Sequence, residues 1–198
     1  MKRIRYSKYV PDPAGEMSME DLLSALSDYL LQSGFQDSMW YELPQGEQTM
    51  EELRRLAAPK ARVTIRDVGT FELALFTIQA PATVLRFARL AASGYYNGLT
   101  FHRVVPNFVI QGGSPGANEY IGDAQFMRDE LGLWPHVRGA AGISTRGRDT
   151  GDAQIFIDLV DNPRLDHEYT VFAQVLNGLD VIDRILEGDV IERIDIVQ

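Results

Sequence analysis

In the segment Thr100-Phe-His-Arg-Val-Val-Pro-Asn-Phe-Val-Ile-Gln-Gly-Gly113, aromatic and β-branched residues fill two short runs on either side of a Pro-Asn pair. Residues of these types are enriched in strands, and Pro-Asn is common in turns. The segment therefore predicts two strands, Thr100–Val105 and Phe108–Gln111, joined by a tight turn. The two glycines that follow remove side chains at a place where another part of the molecule approaches closely.

Arg103 is the unusual residue of this segment. Strict alternation along a strand places Arg103 on the same face as Phe101 and Val105, with His102 and Val104 on the other face. A guanidinium is costly to bury on an apolar face, and the segment contains no acidic residue that could pair with it. Arg103 therefore either has a partner that is distant in sequence or lies on the wall of a cleft, where it meets a ligand.

Composition and charge exclude several classes of protein. The chain has 198 residues and a formal net charge of −9, which argues against non-specific binding to nucleic acid or to anionic membranes. It contains no cysteine, which excludes disulfides, thiolate metal sites and a cysteine nucleophile. The three histidines lack ligand spacing, so we expect neither a metal nor another cofactor. No signal-peptide pattern and no apolar run of roughly 20 residues is present, so we expect no membrane span and a cytoplasmic location.

Residues 1–59 differ in character from the rest of the chain and predict a helical N-terminal extension. Helical spacing of apolar residues and suitable caps indicate one helix between Ser18 and Gly34 and a second between Thr49 and Pro59. Two helices of this size cannot enclose a core of their own. Their apolar residues must therefore pack on the following domain, on a second copy or on a partner, and the sequence leaves these three alternatives open. The apolar residues concerned are Leu22, Leu26, Leu30 and Leu53.

Residues 60–198 predict one domain that consists mostly of strands. Two-residue periodicity and turn signals indicate a hairpin around Asp67-Val-Gly69 and further strands over 141–145, 154–159, 169–175 and 190–197. One helix is predicted from Pro81 to Gly94 and another from Asn177 to Leu186. About eight short strands with two widely separated helices do not form a βαβ pattern, and they favour a closed antiparallel barrel with helices over its ends.

The segment Phe101–Gly113 resembles the signature of the cyclophilins, a family of peptidyl-prolyl cis-trans isomerases. The motifs Gly142-Ile-Ser, Gln154-Ile-Phe-Ile157, Leu165-Asp166 and Tyr169-Thr-Val-Phe172 follow in the order and spacing of that family. The resemblance covers residues 61–198 and implies an eight-stranded closed antiparallel β-barrel capped by two α-helices. Residues 1–59 have no counterpart in the minimal domain of the family.

The resemblance also implies which residues form the site. It implies that Arg103 is the catalytic residue. It implies that the substrate is bound by Phe108, Val109, Gln111, Ser144, Thr145, Phe156, Leu165 and Tyr169. Within this set, Phe156 and Leu165 correspond to walls of the proline pocket, and the backbone of Ser144 and Thr145 corresponds to the segment that grips the peptide.

Two positions depart from the best-known eukaryotic members of the family. Arg164 stands where those members carry a tryptophan, and Tyr169 stands where they carry a histidine. Bacterial-type members resemble this sequence at both positions, so the resemblance still implies an isomerase. The missing tryptophan implies weaker binding of cyclosporin.

Without the family, several of these residues have simpler interpretations. Phe108 and Phe156 would be aromatic residues of the core. Ser144 lacks the G-x-S-x-G context of a serine hydrolase, and Gly112–Gly116 lacks the Gly-Lys-Ser/Thr ending of a phosphate-binding loop. The segment Asp149–Asp152 is most simply interpreted as a solvated turn.

The function implied by the resemblance is peptidyl-prolyl cis-trans isomerisation of proline-containing peptides and of unfolded or flexible protein segments. The alternative is a proline-binding or chaperone-like module with little turnover, whose N-terminal helices mediate partner binding or self-association. The presence of Arg103 together with Phe108, Gln111 and Phe156 favours the enzyme, because a module that only binds need not keep the arginine.

Overall fold

The computed structural model describes residues 59–123 and 125–197. The helical extension predicted for residues 1–59 lies outside the described residues, apart from Pro59. The strands are β1 Lys60–Ile65, β2 Gly69–Leu75, β3 Thr100–Val105, β4 Val109–Ser114, β5 Ala140–Ile143, β6 Ile155–Asp158, β7 Val171–Asn177 and β8 Ile191–Val197. The helices are α1 Pro81–Ala92, α2 Leu179–Ile182 and a short 3-10 helix, Pro163–Leu165. No helix in the described part of the chain is long and apolar enough to cross a membrane.

All eight strands belong to one antiparallel sheet in the order β3-β4-β6-β5-β7-β2-β1-β8. The sheet curls until its edges meet at a single bridge between Thr100 and Val190, and backbone hydrogen bonds extend this contact only over residues 98–101 and 188–191. Among residues 59–123 and 125–197, no strand lies beside the remainder of β3 on this side, because the residues that precede Gly188 form turns and α2. The prediction of a closed barrel is therefore wrong, and the sheet is a curled half-barrel.

The predicted strands and the first helix are confirmed, with ends that differ by a few residues. The second helix is shorter than predicted, because α2 ends at Ile182. Further along, the backbone N–H of Leu186 donates to Oδ2 of Asp189 at 2.8 Å. A side-chain acceptor of this kind competes with the helical hydrogen bonds and favours a turn.

The core lies between α1 and the inner face of the sheet. The apolar stripe of this helix is buried, and it includes Val84, Leu85, Phe87, Ala88 and Ala91. The ring of Phe87 lies 5.0 Å from that of Phe172 on β7 and 5.5 Å from that of Tyr96. Burying each large side chain of this kind contributes roughly 1.5–3 kcal/mol to folding, so the sheet and α1 stabilise each other.

Glu130 caps the N-terminus of α1 from a distant part of the chain. The residue at the cap position, Ala80, makes no side-chain hydrogen bond to the helix. Instead, the buried carboxylate of Glu130 accepts hydrogen bonds from the backbone N–H groups of Ala82 at 3.1 Å and Thr83 at 2.8 Å. Burial raises the pKa of Glu130 to about 7, although the N–H groups of Thr83 and Ala82 oppose this change by favouring the ionised form.

We expect the variant Glu130→Gln to change how stability depends on pH. Between the ordinary pKa of 4.5 and about 7, the folded protein holds a proton on Glu130 that the unfolded chain has released. This group therefore makes the free energy of unfolding fall as pH rises from 5 to 8, by an amount on the order of 3 kcal/mol at most. Urea unfolding at pH 5, 6.5 and 8 should show a smaller fall for Glu130→Gln than for the wild type.

The matched control for this experiment is Glu192→Gln, which removes an exposed carboxylate from β8. It should retain the pH dependence of the wild type. Equal pH dependence in Glu130→Gln and the wild type would contradict the assignment.

Candidate active site

A row of four residues crosses the sheet and forms the floor of the site. Arg103 on β3 is the direct cross-strand partner of Gln111 on β4, Gln111 is the partner of Phe156 on β6, and Phe156 is the partner of Gly142 on β5. Neighbouring side chains in such a row contact one another. Residues adjacent to them in sequence, such as Ile110, belong to the core, so this row lies on the opposite face of the sheet.

A bulge in β3 places Arg103 in this row. The pairing of β3 with β4 passes from Phe101 directly to Arg103 and skips His102. Phe101 is fully buried in the core, and Val104 also packs against the core. The prediction that Arg103 shares a face with Phe101 is therefore wrong, because one extra residue in a strand reverses the alternation of its side chains. Arg103 lies on the outer face, with its side chain 36% exposed.

The outer face carries a cavity of about 290 Å³. All nine residues for which the sequence predicts a role in catalysis or substrate binding line this cavity, so the structure brings them together from five separate parts of the chain. The lining residues are Arg103, Phe108, Val109, Gln111, Glu119, Tyr120, Ser144, Thr145, Arg146, Phe156, Leu165 and Tyr169.

Gln111 connects the polar side of the cavity. Its side-chain oxygen accepts a hydrogen bond from Nη1 of Arg103 at 3.3 Å. Its amide nitrogen donates to Oγ of Ser144 at 2.9 Å and to Oε1 of Gln154 at 3.1 Å. Gln111 is 5% exposed, and a buried amide whose hydrogen bonds are satisfied has little freedom to move. Gln111 therefore holds Arg103 in position from one side.

Glu119 meets Arg103 from the other side. One carboxylate oxygen of Glu119 lies 3.6 Å from Nε of Arg103, and the ring centroid of Phe108 lies 5.8 Å from the guanidinium carbon. The hydrogen bond and the ion pair of Arg103 use Nη1 and Nε. Among the described residues Nη2 has no recorded partner, so it remains available to a ligand in the cavity.

The apolar side of the cavity is an aromatic cluster. The ring of Tyr169 packs edge-on against Phe156 at a centroid distance of 5.7 Å. On the buried side, His136 stacks on Phe156 at 5.6 Å. Nδ1 of His136 lies 2.9 Å from Oδ2 of Asp158, and both side chains are fully buried. This buried pair fixes the plane of the imidazole and so supports the ring of Phe156.

The same buried carboxylate connects to Phe108. The side-chain amide of Asn162 donates to Oδ1 of Asp158 at 2.7 Å and to the backbone oxygen of Phe108 at 3.1 Å. The backbone N–H of Leu159 donates to that same oxygen at 2.8 Å. One network of hydrogen bonds and ring contacts therefore holds Phe108, Phe156 and Tyr169.

Sequence reasoning missed Glu119 and Tyr120, which lie in the loop that follows β4. The hydroxyl of Ser114 donates to the backbone oxygen of Ile121 at 2.6 Å, and Nε2 of Gln154 donates to the same oxygen at 3.2 Å. These bonds close the loop and bring its middle to the mouth of the cavity. The signal available in the sequence was a charged residue in the loop directly after a strand that carries site residues, because such loops often carry functional side chains.

Arg146 is the third lining residue that the sequence did not identify. Its Nη1 donates to the backbone oxygen of Glu119 at 3.2 Å, and its Nη2 forms an ion pair with Asp152 at 2.9 Å. Asp152 is 1% exposed and also accepts a hydrogen bond from the N–H of Gln154. The interpretation of Asp149–Asp152 as a solvated turn is therefore wrong at Asp152, whose charge is neutralised by Arg146.

Known proteins resemble the chain over the whole of this domain. A family model described as cyclophilin type peptidyl-prolyl cis-trans isomerase/CLD matches residues 60–197. A peptidyl-prolyl cis-trans isomerase of Helicobacter pylori is 42% identical over 142 residues, which cover 69% of this chain and 87% of the relative. Peptidyl-prolyl cis-trans isomerase B of Bacillus subtilis is 38% identical over 132 residues, which cover 66% and 92% respectively. The chain belongs to the cyclophilin family.

Solved structures agree with this assignment. A crystal structure of a cyclophilin type peptidyl-prolyl cis-trans isomerase of Cryptosporidium parvum has a TM-score of 0.67 and 25% sequence identity, and covers 71% of this chain and 98% of its own. A second crystal structure of that protein, in the presence of the dipeptide Ala-Pro, has a TM-score of 0.66 and 25% sequence identity, and covers 70% and 99% respectively. This cyclophilin is a peptidyl-prolyl cis-trans isomerase.

The acidic residues and histidines of the site do not form a metal centre. Across residues 59–123 and 125–197, no three His, Asp or Glu side chains are grouped so that they could hold a metal ion.

We expect Gly142→Ala to weaken the binding of proline peptides to this cyclophilin. A Cβ on Gly142 would overlap the ring of Phe156, which lines the cavity and would have to shift. Overpacking of this kind costs about 1–3 kcal/mol, so titration with an Ala-Pro peptide should show an affinity that is lower by about fivefold or more. Gly132→Ala is the control, because the one tight contact of its Cβ would be with the end of the flexible Gln79 side chain at 3.1 Å. Unchanged affinity in Gly142→Ala would contradict the role of Phe156 as a pocket wall.

Proposed function

We propose that this cyclophilin accelerates rotation about X–Pro bonds by stabilising the twisted imide with Arg103. The observation that carries this proposal is a guanidinium at the edge of an apolar cavity, held by Gln111 at Nη1 and by Glu119 at Nε. Such a donor is preorganised, because its position does not have to change when the substrate reaches the transition state.

The reaction needs a hydrogen-bond donor rather than a nucleophile. Rotation about an X–Pro bond meets a barrier of about 20 kcal/mol, because amide resonance is lost when the bond is twisted. The lone pair of the prolyl nitrogen is then no longer delocalised, and it accepts a hydrogen bond that it cannot accept in the planar states. A donor that bonds this nitrogen binds the twisted state more tightly than either planar form, and so it accelerates the reaction.

The apolar walls hold the proline ring. The proposed walls are Phe108, Val109, Phe156, Leu165 and Tyr169, all of which line the cavity. These side chains exclude water from the imide, and in a dry site the charge on Arg103 interacts more strongly. Ser144 and Thr145 follow β5 directly and line the neighbouring edge of the cavity. We propose that their backbone binds the backbone of the peptide.

The substrates that we propose are prolines in peptides and in unfolded or flexible protein segments. The cavity is open to solvent on the outer face, and extended segments can reach it without entering the core. The relative from Cryptosporidium parvum whose structure was obtained in the presence of Ala-Pro supports this proposal by similarity.

Arg103→Ala should lose most of the turnover and keep most of the peptide affinity. Removing one preorganised donor costs roughly 100-fold or more in rate, whereas the apolar walls that hold the proline ring remain. NMR exchange measurements on an Ala-Pro peptide give the rate, and a titration gives the affinity. Arg62→Ala, which removes an exposed arginine of β1 that pairs with Glu72, is the control. A fully active Arg103→Ala variant would exclude the proposed role.

We also propose that residues 1–59 form a unit separate from the isomerase domain of residues 60–198. Pro59 is buried, and its carbonyl accepts a hydrogen bond from the backbone N–H of Leu75 at 3.0 Å. This contact attaches Pro59 to the isomerase domain and supports a boundary immediately before it. We propose that the extension packs on the half-barrel, on a second copy or on a partner through Leu22, Leu26, Leu30 and Leu53.

Deletion of residues 1–58 should therefore keep the isomerase activity on short peptides within about twofold, since the residues that line the cavity all remain. The same deletion should lower the melting temperature or change the oligomeric state, measured by thermal unfolding and light scattering. If the melting temperature and the oligomeric state both stay unchanged, the extension packs neither on the half-barrel nor on a second copy.

A further inference from the structure

Arg164 is a cation at the rim of the cavity. It lies in the 3-10 helix Pro163–Leu165, is exposed, and directly precedes Leu165, which lines the cavity. Its guanidinium carbon lies 4.4 Å from the ring centroid of Phe108, another lining residue. A cation over an aromatic face at this distance is attracted to the ring, and this contact places the charge of Arg164 beside the space that holds the proline.

The charge of Arg164 differs from the other positive charges of the cavity, which are neutralised. Arg103 pairs with Glu119 and Arg146 pairs with Asp152. Within residues 59–123 and 125–197, no carboxylate forms an ion pair with Arg164. Its guanidinium therefore keeps its hydrogen-bond donors free for a ligand.

The acidic residues closest to Arg164 in sequence are bonded elsewhere. Oδ1 of Asp161 accepts a hydrogen bond from the backbone N–H of Arg138 at 2.8 Å. Oδ1 of Asp166 accepts one from the backbone N–H of His136 at 2.7 Å. These carboxylates are held away from Arg164 by the fold, although their charges offset part of its field and keep the expected effect modest.

We propose that Arg164 is a specificity-determining residue that favours substrates with a carboxylate on a residue next to the proline. This inference rests on the proposed function of the cavity. An extended chain advances about 3.3–3.6 Å per residue, so a side chain one residue away from a proline in the cavity can reach the guanidinium over Phe108. Glutamate and aspartate provide the planar acceptor that a guanidinium binds through two hydrogen bonds.

The test uses the full chain and two matched series of peptides. One series carries Glu, Gln or Lys directly after the proline, and the other carries the same residues directly before it. NMR exchange gives kcat/KM without a coupling protease, and a chemical-shift titration of the same peptides gives Kd. In at least one series, we expect kcat/KM of the wild type to be about two- to fivefold higher for the Glu peptide than for the Gln peptide. This difference should become smaller at high salt.

The variants separate the charge of Arg164 from general effects. In Arg164→Gln, the ratio of kcat/KM for the Glu peptide to that for the Gln peptide should fall to about 1. Arg164→Lys should keep part of the preference for Glu, because lysine keeps the charge but not the planar guanidinium. Arg184→Gln removes an exposed arginine that pairs with Asp180, and it should leave the ratio unchanged.

Three results would overturn the inference: no preference for Glu in either series, a preference that survives Arg164→Gln, or a preference that Arg184→Gln removes equally. Failure of the proposed function is visible separately, because the Gln peptides would then show no acceleration by the wild type. In that case the ratio of Kd values for the Glu and Gln peptides still decides the role of Arg164.

Discussion

Between Phe101 and Arg103, the pairing of β3 with β4 skips His102, and the site depends on this one irregularity. The bulge keeps Phe101 in the core and turns Arg103 onto the outer face, beside Gln111. Without it, the alternation of the strand would place either the arginine in the core or the phenylalanine in solvent, and both are costly. The strand thus supplies one residue to the core and one to the site within three positions.

The rest of the site follows from the cross-strand register that begins at Arg103. Gln111 and Phe156 lie in the same row, and the glycine at position 142 leaves room for the phenylalanine ring. The buried pair of His136 and Asp158 supports this ring, because His136 stacks on it. The polar and apolar halves of the cavity are therefore each supported by a buried group, Gln111 on the polar side and His136 on the apolar side, and such support preorganises a site.

Most of the positive charges around the cavity are also held by specific partners. Arg103 and Arg146 are each neutralised by a carboxylate, and the carboxylate of Asp152 is buried where a loop was expected to be solvated. Pairing limits the motion of Arg103 and lowers the net charge of the cavity. Arg164 stands apart from this arrangement, because the acidic residues near it in sequence bond to backbone N–H groups instead.

The order of the elements could be derived from the amino-acid sequence, because strand periodicity and turn residues are local. Most of the site was predicted from the resemblance of the motif around Arg103 and of the later motifs to a known family. The nine residues identified by resemblance all line one cavity. Local patterns do not show the skipped position at His102, the edge at which the half-barrel stays open, or the contact that Glu119 makes with Arg103 from a loop. These features depend on which strands pair, in which register, and on where a loop is tied down, and contacts between distant residues decide them only once the chain is folded.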